Sequence, residues 1–113
     1  MPRSLAILLT ILPLLIADGA DAGYGLFSVS AYDDSSGPGL GITASGEHTR
    51  EGVCACGTGY DFGTAFVLSS GLTMICQDRG GRITDAHIDI WMQSKWEALR
   101  WGRRTIRVLW VRG

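Results

Sequence analysis

The sequence predicts a mainly β protein, a small barrel with one short helix, and three observations support this prediction. The 113 residues include 16 glycines and 3 prolines, a content that favours turns and short elements over long helices. Many apolar residues fall in short runs bounded by glycine, which is typical of strands. Helix-start and helix-stop residues occur together in one short stretch near the C-terminus. The chain length leaves room for one domain.

The first 22 residues predict a secretory signal peptide. Arg3 supplies a positive start, an apolar run follows over residues 5–17, and Ala20-Asp21-Ala22 has the small-x-small form of a cleavage site. A membrane anchor is the alternative, but a helix needs about 20 apolar residues to span a bilayer, and this run is shorter. We therefore expect secretion, cleavage after Ala22, no stable membrane anchor and a mature domain of residues 23–113.

The charge distribution restricts the classes of partner. The formal net charge of -1 at pH 7 excludes a strongly basic nucleic-acid binder and a disordered acidic tail. Residues 95–113 nevertheless hold six basic side chains and one acidic side chain. We interpret this segment as a solvated basic face, and the alternative is a face that binds a protein or another anionic partner.

The predicted strands begin after the signal peptide. Phe27, Val29 and Ala31 alternate with polar residues, which indicates a half-buried strand. Residues 33–41 have the composition of a loop. Three short apolar runs predict further strands, at residues 53–56, 64–68 and 72–76. Ser69-Ser70-Gly71 joins the last two of these strands as a hairpin.

The predicted helix lies near the C-terminus. Ser94 and Glu97 form a capping box, and Gly102 ends the helix. Trp96 and Leu99 lie three residues apart on one face, so we expect that face to cover the barrel. A last strand over residues 105–112 is expected to close the sheet, with three apolar residues on one face: Ile106, Val108 and Trp110.

Three cysteines are an odd number in an exported chain, so one thiol is left over. Cys54 and Cys56 lie two residues apart on one face of a predicted strand and are poorly placed to bond each other. Either of them can bond Cys76 on a neighbouring strand, and the bridge would stabilise the fold by about 3 kcal/mol. Zinc is not expected, because the Cys-x-Cys spacing is atypical of structural zinc sites.

Asp78 and Asp89 are the candidate catalytic residues. Asp78 precedes Arg79-Gly80-Gly81, where two glycines let the backbone turn sharply. Asp89 lies in an apolar strand and shares a face with Trp91. A carboxyl group in such surroundings has a raised pKa, as a general acid requires. Two carboxylates in different environments are the minimum for cleaving a glycosidic bond.

A structural interpretation of the same carboxylates is the alternative. In it Asp78 caps a turn, and Asp89 pairs with an arginine such as Arg103 or Arg104. Two histidines, His48 and His87, have no recognisable partners in the sequence, and we predict that they are surface residues.

The stretch QDRGGRITDAHIDIWM at residues 77–92, followed by WGRR and VLWV, resembles the 3D domain of bacterial cell-wall proteins, which is named for three aspartates. That family's pattern has Asp-Thr-Gly-Gly, an apolar-Asp-apolar-aromatic step, a short helix, Trp-Gly and a final strand. Thr43-Ala44-Ser45-Gly46 and Phe62-Gly63-Thr64 resemble two further parts of the pattern. The family is related to membrane-bound lytic transglycosylase A and to the double-psi β-barrel of rare lipoprotein A.

The resemblance implies a six-stranded double-psi β-barrel that cleaves the glycan strands of peptidoglycan as a lytic transglycosylase, and we expect a monomer without cofactor or metal. By resemblance, Asp89 takes the place of the catalytic acid and Asp78 that of its carboxylate partner. The substrate-binding candidates are Thr43, Gly80, Gly81 and Trp91. The expected location is the periplasm, the cell wall or the outer membrane. A non-catalytic wall-binding or wall-loosening module is the alternative.

The sequence departs from the family's pattern at two positions. Cys56 stands eight residues before Thr64, where the family has its first aspartate, and Asp61 precedes Phe62 where the family has prolines. The family's transglycosylases also have a second domain that forms the other wall of the sugar groove. The present chain has no residues for such a domain, so we expect a shallow groove or one completed by a partner.

Overall fold

The computed structural model describes residues 21–36 and 41–113. Six strands form a closed barrel, which confirms the predicted fold class and is consistent with a double-psi barrel. The strands are β1 (Ala22–Tyr32), β2 (Val53–Ala55), β3 (Ala65–Leu68), β4 (Thr73–Asp78), β5 (His87–Trp91) and β6 (Arg104–Val111), with a helix α1 (Lys95–Trp101) and a 3₁₀ turn (Asp34–Ser36). The predicted signal peptide falls almost wholly on residues 1–20, outside the described residues, and stays a prediction.

The strand order around the barrel is β1-β5-β2-β4-β3-β6, with two parallel and four antiparallel pairs. β1 pairs with β5 in parallel and with β6 antiparallel. β2 pairs with β4 in parallel and with β5 antiparallel. Parallel neighbours require crossover connections, and neither parallel pair joins strands that are consecutive in the chain.

The core lies inside the barrel, where the inward-facing residues of the strands meet. Its fully or almost fully buried members include Val29, Phe66, Leu68, Ile88, Ile90 and Val108. Phe27 and Tyr60 each contact the ring of Phe66 edge-on, at centroid distances of 5.8 and 5.1 Å, a favoured aromatic geometry. Burying each large apolar side chain stabilises the fold by about 1.5–3 kcal/mol.

The predicted hairpin between β3 and β4 is confirmed. The amide of Leu68 donates to the carbonyl of Leu72 at 2.8 Å, and the two strands pair antiparallel. Gly71 has a φ of 96°, a left-handed conformation that a side chain disfavours. The turn residues of the sequence therefore explain where the chain reverses.

The disulfide joins Cys56 to Cys76, and Cys54 is a free, buried thiol. In the β2–β4 register Cys54 lies opposite Cys76, but the register shifts between Cys54 and Ala55. Cys56 lies beyond the end of β2, and its Cα is 5.8 Å from that of Cys76. The guanidinium of Arg79 covers the bridge, with Nη1 3.0 Å from the Cys56 sulfur.

The predicted ends of the helix are confirmed, but the predicted packing face is wrong. Ser94 accepts a hydrogen bond from the Glu97 amide at 3.2 Å, and Gly102 follows the last turn with a φ of 66°. Trp96 is 72% exposed and Leu99 is 60% exposed. The helix contacts the barrel instead through the face that holds Trp101.

Trp101 attaches α1 to β1, because its indole Nε1 donates to the carbonyl of Val29 at 3.0 Å. Ser94, Ala98 and Trp101 are half-buried, and their i, i+4, i+7 spacing defines one helical face. Arg104 stacks on the outer side of the Trp101 ring, 3.8 Å from its centroid. The helix therefore packs on the barrel through the face that holds Trp101. The apolar spacing of Trp96 and Leu99 did not indicate this face.

The last strand closes the barrel as predicted, since β6 pairs with both β1 and β3. Val108 is fully buried, and Ile106 and Trp110 are half-buried and pack against the core. Within the described part of the chain, none of the helices has the length and apolar character needed to cross a membrane.

Loss of the disulfide is expected to destabilise the fold. Cys76→Ala opens a bridge between residues 20 apart in sequence, and constraint of the unfolded chain by such a loop is worth about 3 kcal/mol. Thermal unfolding without reductant measures the loss, with Cys54→Ala as the matched control that removes a buried cysteine and leaves the bridge. Peptide mass mapping of the unreduced protein should recover Cys56 linked to Cys76, and a Cys54–Cys76 linkage would contradict the assignment.

Candidate functional site

A row of polar side chains lies on the outer face of β1 and β5. The parallel register places Ser28 beside His87, Ser30 beside Asp89 and Tyr32 beside Trp91. Because side chains alternate across a strand, these six residues share one face, while Val29 and Ile88 point into the core. The pairing of two strands far apart in sequence thus assembles the row.

Asp89 is a partly buried carboxyl group at the centre of this row. Ser30 Oγ donates a hydrogen bond to its Oδ1 at 2.9 Å. Burial raises the pKa of Asp89, and the nearby Asp78 carboxylate adds to the rise, whereas the Ser30 hydrogen bond and the charges of His87 and Arg103 act in the opposite direction. The direction of this shift agrees with the raised pKa that the sequence predicts for Asp89, and a general acid that works near neutral pH needs a raised pKa.

Asp78 is the last residue of β4, rather than the residue after it. Three hydrogen-bond donors surround its carboxylate. Tyr32 Oη donates to Oδ2 at 2.7 Å, and the backbone amides of Ala44 and Arg79 each donate to Oδ1 at 2.9 Å. The carboxylate of Asp78 therefore accepts three hydrogen bonds, one from a side chain and two from the backbone. The two candidate carboxylates therefore have contrasting surroundings.

Tyr32 is a site residue that the sequence analysis missed. Burial, the hydrogen bond to Asp78 and the charges of Asp78 and Asp89 all raise the pKa of its phenol. Tyr32 therefore stays protonated and acts as a fixed donor. The period-two alternation of β1 places it on the outer face, but its partner Asp78 lies 46 residues away, beyond any local pattern.

Thr43 contributes to the site through the turn that contains it. The Thr43 side chain is buried, and its hydroxyl donates to the carbonyl of Glu47 at 3.0 Å. The amide of Ser45 donates to the carbonyl of Gln77 at 3.0 Å, which holds the turn against β4. The turn thereby directs the Ala44 amide at Asp78. Direct substrate binding by Thr43 stays a prediction.

The other predicted substrate-binding residues lie around the carboxylates. Gly80 and Gly81 are exposed in the segment that follows Asp78. Trp91 is half-buried, and its indole Nε1 donates to Asp34 Oδ1 at 2.9 Å. An open cavity of about 380 Å3 adjoins Trp91 at the end of β5, with Leu72, Met74 and Met92 in its lining. The cavity thus reaches the site at Trp91, and neither Asp78 nor Asp89 lines it.

The four tryptophans have different environments. Trp96 is exposed on α1, Trp101 attaches α1 to β1, and Trp110 packs edge-on against Tyr60 at 5.5 Å. Trp91 shares the outer face of β5 with Asp89. Direct substrate binding by Trp91 stays a prediction.

His87 is not a surface residue, so the prediction for it is wrong. Its side chain is buried, and its Nε2 lies 2.7 Å from Ser30 Oγ. Burial lowers the pKa of His87, as does the charge of Arg103, while Asp89 and a backbone hydrogen bond at Arg82 act in the opposite direction. No local pattern indicates this contact, because Ser30 lies 57 residues from His87 along the chain. His48 is exposed, as predicted.

The alternative interpretation, an ion pair between Asp89 and Arg103 or Arg104, is wrong. Arg103 Nη1 donates to Ser28 Oγ at 2.7 Å, and Arg104 Nε donates to the carbonyl of Trp101 at 3.1 Å. Metal ligation has no geometric support either. Across residues 21–36 and 41–113, no group of three or more His, Cys, Asp or Glu side chains is placed to hold an ion.

A comparison with protein-family models matches the segment that holds both candidate carboxylates. Residues 60–112 match the family model of the 3D domain, a family linked to peptidoglycan-related proteins. The matched segment contains Asp78 and Asp89 together with Gly80, Gly81 and Trp91, whereas Ser30 and Thr43 lie before it. No curated protein matches the chain.

The buried position of Asp89 is expected to lower the stability of the folded protein at neutral pH. Because the folded-state pKa is raised above 3.8, the folded protein binds this proton more tightly than the unfolded chain does. Stability therefore falls as the pH rises from 3.8 through the folded-state pKa. Asp89→Asn cannot ionise, so it should have a higher Tm than the unsubstituted protein at about pH 7 and a similar Tm at about pH 3.

Thermal unfolding at the two pH values measures this difference. Asp61→Asn, which changes an exposed aspartate, is the matched control and should leave the pH dependence unchanged. A Tm of Asp89→Asn below that of the unsubstituted protein at about pH 7 would contradict the raised pKa.

Proposed function

Because residues 60–112 belong to the 3D domain family, we propose that this protein is a secreted enzyme that acts on peptidoglycan. The proposed reaction is that of a lytic transglycosylase, which cleaves glycosidic bonds in the glycan strands of the bacterial cell wall. The proposed location is outside the cytoplasmic membrane, in the periplasm, the cell wall or at the outer membrane. Glycan strands are the proposed partner.

The contrast between the two carboxylates is the observation that carries the proposal. Asp89 is partly buried, its pKa is raised, and Ser30 is its hydrogen-bond donor on the neighbouring strand. Asp78 accepts three hydrogen bonds from Tyr32, Ala44 and Arg79. Pairs of carboxyl groups in different environments are how glycosidases divide the roles of acid and charge stabiliser.

The proposed reaction begins with Asp89 in its protonated form. Asp89 gives its proton to the bridging oxygen as the glycosidic bond breaks. Positive charge develops on the sugar ring, and the Asp78 carboxylate stabilises it. The 6-hydroxyl of the same sugar then bonds to the anomeric carbon and returns its proton to Asp89. An anhydro ring forms, no water is consumed, and the enzyme regains its starting state.

The surface around the carboxylates suits a sugar chain. The half-buried ring of Trp91 is held in place by Asp34 through its indole nitrogen. A sugar stacked on Trp91 would lie along β5 toward Asp89, because aromatic and sugar faces pack together. The exposed backbone of Gly80 and Gly81 borders Asp78 on the other side and lets a ligand approach closely.

A non-catalytic wall-binding module is the second candidate, and one observation favours it. Cys56 occupies the position of the first aspartate in the family's pattern, and it is bonded to Cys76. If that first aspartate took part in the reaction, its replacement would leave a protein that binds glycan strands without cleaving them. The same open surface beside Trp91 would then serve for binding alone.

Release of anhydro-muropeptides from purified sacculi distinguishes the two candidates. The purified protein is expected to release them, as measured by mass spectrometry of the soluble products. Asp89→Asn should lower the rate by about 100-fold or more, because asparagine cannot donate an acidic proton. The expected melting curve of this variant is that of a folded protein, which makes the loss a chemical one.

Asp61→Asn is the matched control for this assay, since Asp61 is exposed, and it should keep full activity. Equal release by Asp89→Asn and by the unsubstituted protein would overturn the catalytic role of Asp89. If the unsubstituted protein sediments with sacculi but releases nothing, the binding module is the correct function.

A further inference from the structure

Asp89, Ser30 and His87 form a continuous hydrogen-bonded chain on the outer face of β1 and β5. Ser30 Oγ lies 2.9 Å from Asp89 Oδ1 and 2.7 Å from His87 Nε2. The ring of His87 also has a hydrogen bond to the backbone at Arg82. His87 itself is buried. The mechanism above uses Asp89 but leaves this buried histidine and its bridging serine without a role.

The order of the three residues argues against a serine nucleophile. In a hydrolase triad the histidine lies between serine and aspartate, so that the carboxylate orients the imidazole. Here Ser30 lies between His87 and Asp89. Its hydroxyl is therefore engaged on both sides and serves as a bridge between two groups that bind protons.

The single hydroxyl proton of Ser30 allows two fully satisfied arrangements. When Asp89 is a carboxylate, Ser30 donates to it and accepts from the Nε2–H of a charged His87. When Asp89 carries the proton, it donates to Ser30, and Ser30 donates to the Nε2 lone pair of a neutral His87.

We propose that Asp89 and His87 share one proton through the hydroxyl of Ser30, and that His87 thereby supplies the acid form of Asp89. In the transfer, the Nε2–H bond of His87 breaks as that proton bonds to Ser30 Oγ. The original hydroxyl proton of Ser30 passes to Asp89 Oδ1. His87 becomes neutral, Asp89 becomes an acid, and no proton enters from solvent. His87 acts through Ser30, so it is a positioning residue.

The surrounding groups favour this sharing. Burial raises the pKa of Asp89 and lowers that of His87, so the two proton affinities approach each other. Tyr32 from β1 and Cys54 from β2 have raised pKa values and stay neutral. The remaining charged groups are Asp78, which favours the proton on Asp89, and Arg103, which disfavours a charge on His87.

The consequence for catalysis rests on the proposed function, whereas the shared proton does not. A carboxyl group alone would lose its proton once the pH exceeded its own pKa. A pair that shares a proton holds it to a higher pH than either member alone, because the final dissociation belongs to the pair. Sharing does not increase the fraction of Asp89 that is protonated at a given pH, but it places the midpoint of the alkaline limb of the pH–activity profile at the pKa of the pair, above that of Asp89 alone.

Titration by NMR tests the shared proton independently of activity. The purified protein is labelled at the aspartate carboxyl carbons and the histidine ring nitrogens, and Asp89→Asn and His87→Gln assign the two signals. In the unsubstituted protein both signals should show two inflections at the same two pH values, since each group senses the protonation of the other. His48, which is exposed, provides the reference signal of a histidine outside the chain of hydrogen bonds.

Substitutions at Ser30 test whether Asp89 and His87 are coupled through the Ser30 hydroxyl or only because they lie close together. Ser30→Ala removes the hydroxyl and should leave each signal with one dominant inflection. Ser30→Thr keeps a hydroxyl at the same position and should retain the two-step titration. In His87→Gln the titration curve of the Asp89 signal should have a single step. This variant tests the coupling if Ser30→Ala does not fold. Single independent steps in the unsubstituted protein, or two steps in Ser30→Ala, would overturn the proposal.

The pH profile of anhydro-muropeptide release tests the catalytic consequence. His87→Gln should move the alkaline limb of the profile to lower pH, while His48→Gln should leave the limb unchanged. An unmoved limb in His87→Gln would overturn the supply of the acid form by His87. If no variant or unsubstituted protein releases product, the proposed function fails, and the NMR result still decides whether the proton is shared.

Discussion

The parallel pairing of β1 with β5 is the interaction on which both the core and the site depend. This ladder places Ser30 beside Asp89 and Ser28 beside His87 on the outer face. On the inner face the same ladder brings Val29 and Ile88 together in the core, where both are fully buried. A slip of one residue would exchange the two faces, so burial of the apolar residues determines which polar residues meet outside. The register that packs the core therefore also fixes which polar side chains are neighbours in the site.

The disulfide has a comparable role for the second carboxylate. The bond between Cys56 and Cys76 holds the segment after β2 against β4, two residues before Asp78. Arg79 then covers the bridge and donates to the carbonyl of Tyr60 at 2.7 Å. If the aspartate that the family has at position 56 is structural, a covalent bond provides the same attachment. The substitution by cysteine is then compatible with an intact pair at Asp78 and Asp89.

Local patterns predicted the strands, the hairpin turn, both helix ends and the closing strand, because each depends on residues close in sequence. The role of His87 was missed because its partner Ser30 lies on a strand that pairs with it only in the folded barrel. The packing face of α1 was wrong because apolar spacing favoured Trp96 and Leu99, while Trp101 offers both an aromatic ring and an indole donor. The choice of Cys56 as disulfide partner depends on a register shift that no composition reveals.

The different positions of the two carboxylates along their strands explain their different chemistry. Asp78 ends β4, where backbone amides outside the ladder are free to reach it, and the amides of Ala44 and Arg79 do so. Asp89 lies in the middle of β5, between two strands, where ladder pairing engages the neighbouring amides. A side-chain hydroxyl from β1 is the donor that reaches it. Burial without enough donors raises a carboxyl pKa, so the positions of Asp89 and Asp78 on their strands account for their different surroundings.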